Sequence, residues 1–266
     1  MIFRALRYIC MLGSGQSQQV WLREAEFHDA LASHLDAAAR PAAAPNFWEA
    51  LVLREAGDLR GQRVLEIGCG VGDLTLHLLA AGASVTALDI SPRMVAIARR
   101  RAEAWAATAE ARFLSVPVEA TGLDSSTYDV IIGLNILHHV DVGGAAEEIA
   151  RLSRPRARAV FIENSGLNPL LSFARRHVAG RFGIPRLGTI DEHPLTERDY
   201  DEFRRLFRVV KVNYPEFVFF RIFDRQVMRF RSKPMSTLFR SMDVAAYRWL
   251  PPLRRFSYKV LLRLEK

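Results

Sequence analysis

The stretch VLEIGCGVGDLTLHLLAAGASVTALDIS sets Gly68, Gly70 and Gly72 at alternate positions between two apolar runs, and the second run ends in Asp89. Glycine lacks a Cβ, so such a loop can turn sharply and bring backbone N–H groups against a ligand. Asp89 lies 17 residues beyond Gly72. A carboxylate at the end of the second strand can accept both hydroxyl hydrogens of a ribose. In the dinucleotide fingerprint G-x-G-x-x-G, the helix start receives a pyrophosphate. Here the third position after Gly70 is Asp73, whose charge opposes such a group, and the pattern from Glu66 is E-x-G-x-G-x-G. A nucleoside without phosphate fits this loop better.

A second set of reactive side chains follows. Asn135, His138 and His139 come just after the apolar run YDVIIGL, Glu163 closes a later run, and His193 stands in DEHPL beside Asp191 and Glu192. Histidine titrates near neutral pH, so His138, His193 and Glu163 are the candidate proton carriers. Two of these also have a structural reading: His138, like His139, as a packing residue, and Glu163 as an ion-pair partner of the later arginines. No Cys/His cluster points to a metal. The two cysteines, Cys10 and Cys69, are far apart, which argues against a disulfide framework and for a reducing, cytoplasmic setting. Arg4 and Arg7 interrupt the apolar N-terminal stretch, and no run approaches the ~18 apolar residues of a membrane span.

The elements that position these residues alternate. Apolar spacing predicts helices over 16–40 and 47–56, then strand 63–68, helix 73–82 and strand 84–89. Ser91-Pro92 reads as an N-cap followed by a first-turn proline, opening the next helix. Strands over 111–116, 128–134 and 157–163, with a helix over 143–153, continue the pattern. Strand–helix alternation means a mostly parallel, doubly wound sheet of Rossmann-like type, covered on both faces. Beyond Glu163 come a helical insertion over 168–182, a capping box at Thr196 and Asp199, and a strand over 208–220. A basic, aromatic helical insert over 221–256 and a last strand over 258–266 complete seven strands.

In this order the features resemble the class I S-adenosylmethionine-dependent methyltransferases, over about residues 60–165. VLEIGCGVG is similar to the family's first signature, Asp89 in ALDIS to its ribose-binding acid, YDVIIGLNILHHVD to its fourth-strand signature, and EIARLSRPRARAVFIE to the helix and strand after it. The resemblance implies S-adenosyl-L-methionine as cofactor, held by Glu66, Gly68, Gly70, Gly72, Asp89, Ile90, Val118, Glu119 and Asn135. One departure stands out. Pro117 occupies the place where the family often has an aspartate for the adenine amino group, which leaves that role to Glu119 or the backbone at Val118. His28 and Trp21 on the first helix either close the cofactor pocket, as N-terminal helices often do in this family, or simply pack.

Charge separates the two halves. Residues 1–164 carry 16 Lys+Arg against 19 Asp+Glu, net −3, and residues 165–266 carry 21 against 10, net +11. Basic charge among aromatics suits an anionic acceptor, a membrane surface or a nucleic acid. The insertion NPLLSFARRHVAGRF sets Leu170, Leu171, Phe173, Val178 and Phe182 on one face edged by arginines, the pattern of a lid or interfacial helix. With PRLGTID it resembles, more weakly, the insertion of ubiquinone-pathway O-methyltransferases. The expected organisation is an N-terminal helical cap (1–57), a cofactor-binding core (58–165), and a segment completing the sheet with acceptor-binding inserts (166–266). The expected function is methyl transfer to oxygen or carbon of an apolar small molecule of aromatic, quinone-like or isoprenoid type, with peripheral membrane contact. The alternatives are an RNA methyltransferase, disfavoured by the lack of an appended RNA-binding module, and a non-catalytic cofactor-binding membrane-associated protein.

Overall fold

The computed structural model describes residues 15–34, 44–105, 110–181 and 192–266. The N-terminal stretch with Cys10, residues 35–40 of the first expected helix, Phe182, Asp191 and the run 185–191 lie outside them. Five strands pair in parallel: β1 (Arg63–Ile67), β2 (Ser84–Asp89), β3 (Ala111–Ser115), β4 (Tyr128–Leu134) and β5 (Ser153–Asn164). β7 (Lys259–Glu265) runs antiparallel between β5 and β6 (Val209–Asn213). The order across the sheet is β3-β2-β1-β4-β5-β7-β6, the expected Rossmann-like doubly wound sheet of seven strands.

Parallel neighbours need long crossovers, and helices supply them. Residues that alternate along each strand therefore face two cores. On one face Leu65, Ile67, Ile131 and Phe161 pack with Ala145 and Ile149 of α5 (Val142–Leu152) and Tyr200 and Phe203 of α7 (Glu197–Leu206). On the other, Val64, Val85, Val130 and Val160 pack with Val52 of α2 (Phe47–Ala56), Leu76 of α3 (Asp73–Ala80) and Ala98 of α4 (Pro92–Trp105). Caps begin the helices where the sequence indicates. Ser91 Oγ accepts the Met94 N–H at 3.1 Å, and the Asp199 carboxylate accepts from both the N–H and the hydroxyl of Thr196.

Three elements differ from expectation. α1 spans Gly15–Ala32, with a turn at Ser33 and His34. β5 begins four residues early because its register against β4 jumps between Tyr128↔Ser153 and Val130↔Arg158, and Arg156 takes φ +68° in the bulge. β6 stops at Asn213 rather than continuing to 220. Pro215 has no N–H for a ladder, and the N–H groups of Phe219, Phe220 and Arg221 turn instead to the buried Asp243 carboxylate. That carboxylate lies on α8 (Lys233–Trp249), reached through one helical turn (Phe220–Phe223) and a π-turn (Asp224–Met228). α6 (Pro169–His177), capped by Asn168, is the described part of the first insertion.

Candidate functional site

β1 and β4 are neighbours although first and fourth along the chain, so a crevice opens at their carboxyl ends. The cleft there measures about 770 Å³, counting open space at its mouth. Gly68 and Gly70 line it with φ +72° and +51°. The N–H groups of Gly68 and Cys69 donate to the Leu88 carbonyl at 2.8 and 3.0 Å, folding the loop onto β2. A Cβ on Gly68 would strike Ile136 at 2.9 Å, whereas one on Gly70 would meet nothing within 4 Å. Gly70 is thus where bare backbone faces the open cleft.

Asp89 is half-buried beside that loop. Its Oδ2 accepts the Gly70 N–H and its Oδ1 the Ser91 N–H, each at 2.9 Å. A carboxylate oxygen has two lone pairs, so each retains capacity for a hydroxyl in the cleft. Burial raises this carboxyl above its usual range, while the two N–H groups and the nearby His28 and His139 pull it down.

Glu66 and Gly72 do not line the cleft. Glu66 is buried behind the loop and accepts the Thr75 hydroxyl at 2.5 Å. Burial lifts its pKa to about 8 against that hydrogen bond. A Cβ on Gly72 would lie 3.0 Å from the Ala98 Cβ and 3.1 Å from its Cα, so this glycine lets α4 approach the loop. Both residues shape the loop from behind.

Ile90, Pro117, Val118 and Glu119 form the far wall. Glu119 Oε1 accepts the Asp141 N–H at 3.1 Å, while Oε2 is buried without a well-aligned hydrogen bond and the Trp21 side chain is the donor near the carboxylate. Burial pushes this carboxyl up, and its own backbone N–H, that of Asp141 and the Trp21 side chain oppose the shift. This acceptor sits close in sequence to Pro117, where a better-aligned hydrogen-bond donor such as an adenine amino group would satisfy it.

The opposite rim holds Asn135, which lines the cleft with φ +56°, a left-handed conformation that asparagine tolerates. Its Oδ1 accepts from Lys259 Nζ, at the start of β7. Beneath this rim, Glu163 is fully buried and accepts the N–H groups of Ile136 and Leu137, both at 2.8 Å. Its other oxygen meets His138 Nδ1 at 2.7 Å, and Asn164 Nδ2 lies 3.1 Å from His138 Nε2. That network makes Nδ1 the donor and Nε2 the acceptor, so both ring nitrogens are used. The structure therefore joins His138 to Glu163, behind the cleft wall rather than on it. His193 is apart from them: its backbone N–H donates to the His138 carbonyl, while its half-exposed ring is 3.9 Å from Asp199.

α1 closes the cleft. Glu24 and His28, one turn apart on one face, line it together with His139, whereas Trp21 is buried behind it, its side chain beside the Glu119 carboxylate. His139 Nδ1 lies 3.0 Å from Glu24 and 3.5 Å from Glu192. Burial lowers the His139 pKa, but the Glu24 hydrogen bond and the charges of Glu192, Glu24 and Glu163 outweigh it, so the net shift is upward. Asp29 ties α1 down further, accepting the Ser91 hydroxyl and the Arg93 N–H. No metal is expected from the sequence, yet Glu24, His28 and His139 bring their ligand atoms within 4.8 Å of one another. In the structure Glu24 and His139 spend those atoms on each other. Glu24 and Lys259 were not among the sequence candidates. The i, i+4 pairing of Glu24 with His28 was visible in the sequence, but nothing local marked Lys259.

On the basic side, a second cavity of about 1230 Å³, open space included, is lined by Phe217, Phe219, Phe220, Met242, Trp249 and Phe256, among others. Trp249 is 71% exposed and Phe173 on α6 61%. No helix among the described residues is long and apolar enough to cross a membrane.

The sheet order, the glycine loop and the acid at the end of β2 define a class I methyltransferase fold. Residues 64–156 match the family model described as a methyltransferase domain. Among curated relatives, it is 38% identical over 98 residues to the ubiquinone biosynthesis O-methyltransferase of Methylocella silvestris, covering 36% of this chain and 38% of that protein. It is 30% identical over 154 residues to the demethylmenaquinone methyltransferase of Tropheryma whipplei, covering 54% and 58%. The matched part thus spans between a third and three-fifths of these relatives. Among solved structures, Haemonchus contortus phosphoethanolamine N-methyltransferase 2 in complex with S-adenosyl-L-methionine superposes with a TM-score of 0.58 at 15% identity, covering 90% of this chain and 56% of that one. This last likeness is one of fold.

Proposed function

We propose that this chain transfers the methyl group of S-adenosylmethionine to an oxygen or carbon of an apolar small molecule. The observation that carries the reading is the pairing, across one cleft, of Asp89 with spare acceptor capacity and Glu119 with a buried oxygen that lacks a well-aligned donor. These are the acceptors a ribose diol and an adenine amino group require. The open backbone at Gly70 suits the amino-acid end of the same molecule. When bound, the sulfonium supplies a methyl carbon primed for in-line attack, so the protein has mainly to orient the partners and keep water out.

The residues present divide those tasks. Asp89, Gly68 and Gly70 would hold the ribose and the methionine end, and Ile90, Val118 and Glu119 the adenine. Glu66 and Gly72 would fix the loop from behind. Glu163 and His138 brace the turn that carries His139 and so position the acceptor rim. α1 covers the cleft. This assigns the cofactor to residues 58–165, closure to 1–57 and the acceptor to 166–266.

The apolar cavity beside α8, its exposed Trp249 and the surrounding arginines favour an acceptor with a hydrophobic body, delivered from an anionic membrane surface. The names of the curated relatives, which act in quinone pathways, agree with that class. The test is incubation with methyl-labelled S-adenosylmethionine and a panel of alkyl and prenyl phenols, hydroquinones and RNA, followed by product mass. Label on a hydrophobic phenol or quinol supports the reading. Label on RNA alone overturns it.

A further inference from the structure

The rim opposite the glycine loop contains a lysine that the cofactor reading leaves unused. β7 is antiparallel, so it delivers its first residue, Lys259, to the edge where the parallel strands end; Lys259 pairs there with Asn164 of β5. Its Nζ donates to Asn135 Oδ1, and Asn135 lines the cofactor cleft while remaining exposed at its mouth. The partner in this bond is neutral, so no carboxylate fixes the lysine proton there. The charged groups that act on Nζ are Glu163 from β5 and Arg225 from the turn at 224–228, and the Tyr258 ring lies 5.6 Å away.

We infer that Lys259 is the general base of the acceptor site, taking the proton of an acceptor hydroxyl. This rests on the methyl-transfer reading and narrows it to oxygen. In the step, the acceptor O–H bond breaks with its proton passing to Nζ, and the oxygen forms a bond to the methyl carbon. The S–CH3 bond breaks, and its electron pair stays on sulfur. One positive charge leaves sulfur as one appears on Nζ, so the net charge of the site is unchanged.

Other candidates are less well placed. His138 uses both ring nitrogens behind the wall, and His193 turns to Asp199. His139 lines the cleft, but its Nδ1 is already engaged, 3.0 Å from Glu24 and 3.5 Å from Glu192. Burial lowers the Lys259 pKa to about 8 against the pull of Glu163, with Arg225 assisting. A base useful near neutral pH needs that direction of shift. The lysine is also joined to the apolar side by the chain itself. Phe256, three residues earlier, lines the second cavity, so a hydroxyl-bearing head at Lys259 can have its hydrophobic body there.

The test uses 4-nitrocatechol, whose neutral and anionic forms absorb at different wavelengths, with the full chain and saturating S-adenosylhomocysteine. At a pH where the free dye is neutral and Lys259 already carries its proton, the wild type should bind it with the spectrum of the anion, paired with the Lys259 ammonium as after the proposed transfer, with the dye's proton released to solvent. Lys259→Met should bind it, if at all, as the neutral form. Turnover of the dye should fall at least ~100-fold in Lys259→Ala and recover with added primary amines in order of their basicity, which a structural lysine would not show. Calorimetric affinity for S-adenosylmethionine should stay within twofold in both variants. An equal anion spectrum in Lys259→Met, no binding of the dye to the wild type, or no amine rescue would overturn the assignment. Failure of the wild type to bind S-adenosylmethionine would instead overturn the methyl-transfer reading beneath it.

Discussion

Around the glycine loop, polar atoms are paired at close range: Asp89 with the Gly70 and Ser91 N–H groups, Gly68 and Cys69 with the Leu88 carbonyl, Glu66 with the Thr75 hydroxyl. Around α8, in contrast, Trp249, Leu250 and Val244 are more than half exposed, and arginines stack on Tyr247, Trp249 and Phe256. The first region has a shape fixed by hydrogen bonds and can be preorganised for one ligand. The second offers apolar area edged by positive charge, which grips by burial and suits a family of hydrophobic bodies. Variants in the two regions should therefore fail differently, one in cofactor affinity and the other in acceptor turnover.

The largest effect is expected at Gly70. A valine there needs φ near +51° and fills the open space where backbone meets the cleft, so Gly70→Val should fold yet lose detectable S-adenosylmethionine binding. Asp89→Ala comes next. Loss of the charged acceptor should weaken binding by about 1.5–3 kcal/mol, read by calorimetry on folded protein. Gly72→Ala separates shape from contact. Its Cβ would crowd Ala98, so it should cost about 1–3 kcal/mol of stability, while the surviving folded protein keeps its affinity within a fewfold.

On the other side, Phe173→Ser and Trp249→Ser should lower acceptor turnover several-fold and leave cofactor affinity unchanged. If turnover with a long-tailed phenol stays at the wild-type rate, the cavity beside α8 is not the acceptor's seat. The smallest effect is a pH dependence. Glu66 is held neutral by burial, with a folded pKa of about 8 against an ordinary value of 4.5. Its contribution to stability is therefore full below the unfolded value and is lost as pH rises through about 8. Between pH 5 and 9, Glu66→Gln should show a flatter decline in melting temperature than the wild type, and parallel curves would remove the burial argument.

The same contrast explains what could be read from sequence. Gly68, Gly70 and Asp89 were legible because a sharp turn and a carboxylate at a strand end demand particular residue types at fixed local spacing. The alternation of strands and helices through β5 was legible for the same reason. Lys259 was not, since its partner Asn135 is 124 residues away and the two meet only because β7 inserts antiparallel beside β5. His138 and Glu163 read as reactive groups because their types permit it; their burial under the rim depends on the three-dimensional turn. β6 was overextended because its apolar run continues past Pro215, while the N–H groups of Phe219 and Phe220 go to Asp243, far along the chain.

We propose that the cleft between the β1 loop and Glu119 is built for a nucleoside sulfonium and not for a dinucleotide. Calorimetric titration of the purified chain with S-adenosylmethionine, and separately with NAD, tests it most directly. One binding site of micromolar affinity, about −8 kcal/mol, is predicted for S-adenosylmethionine, with no heat of binding from NAD. Silence with S-adenosylmethionine, or binding of NAD at equal or greater strength, would contradict the account.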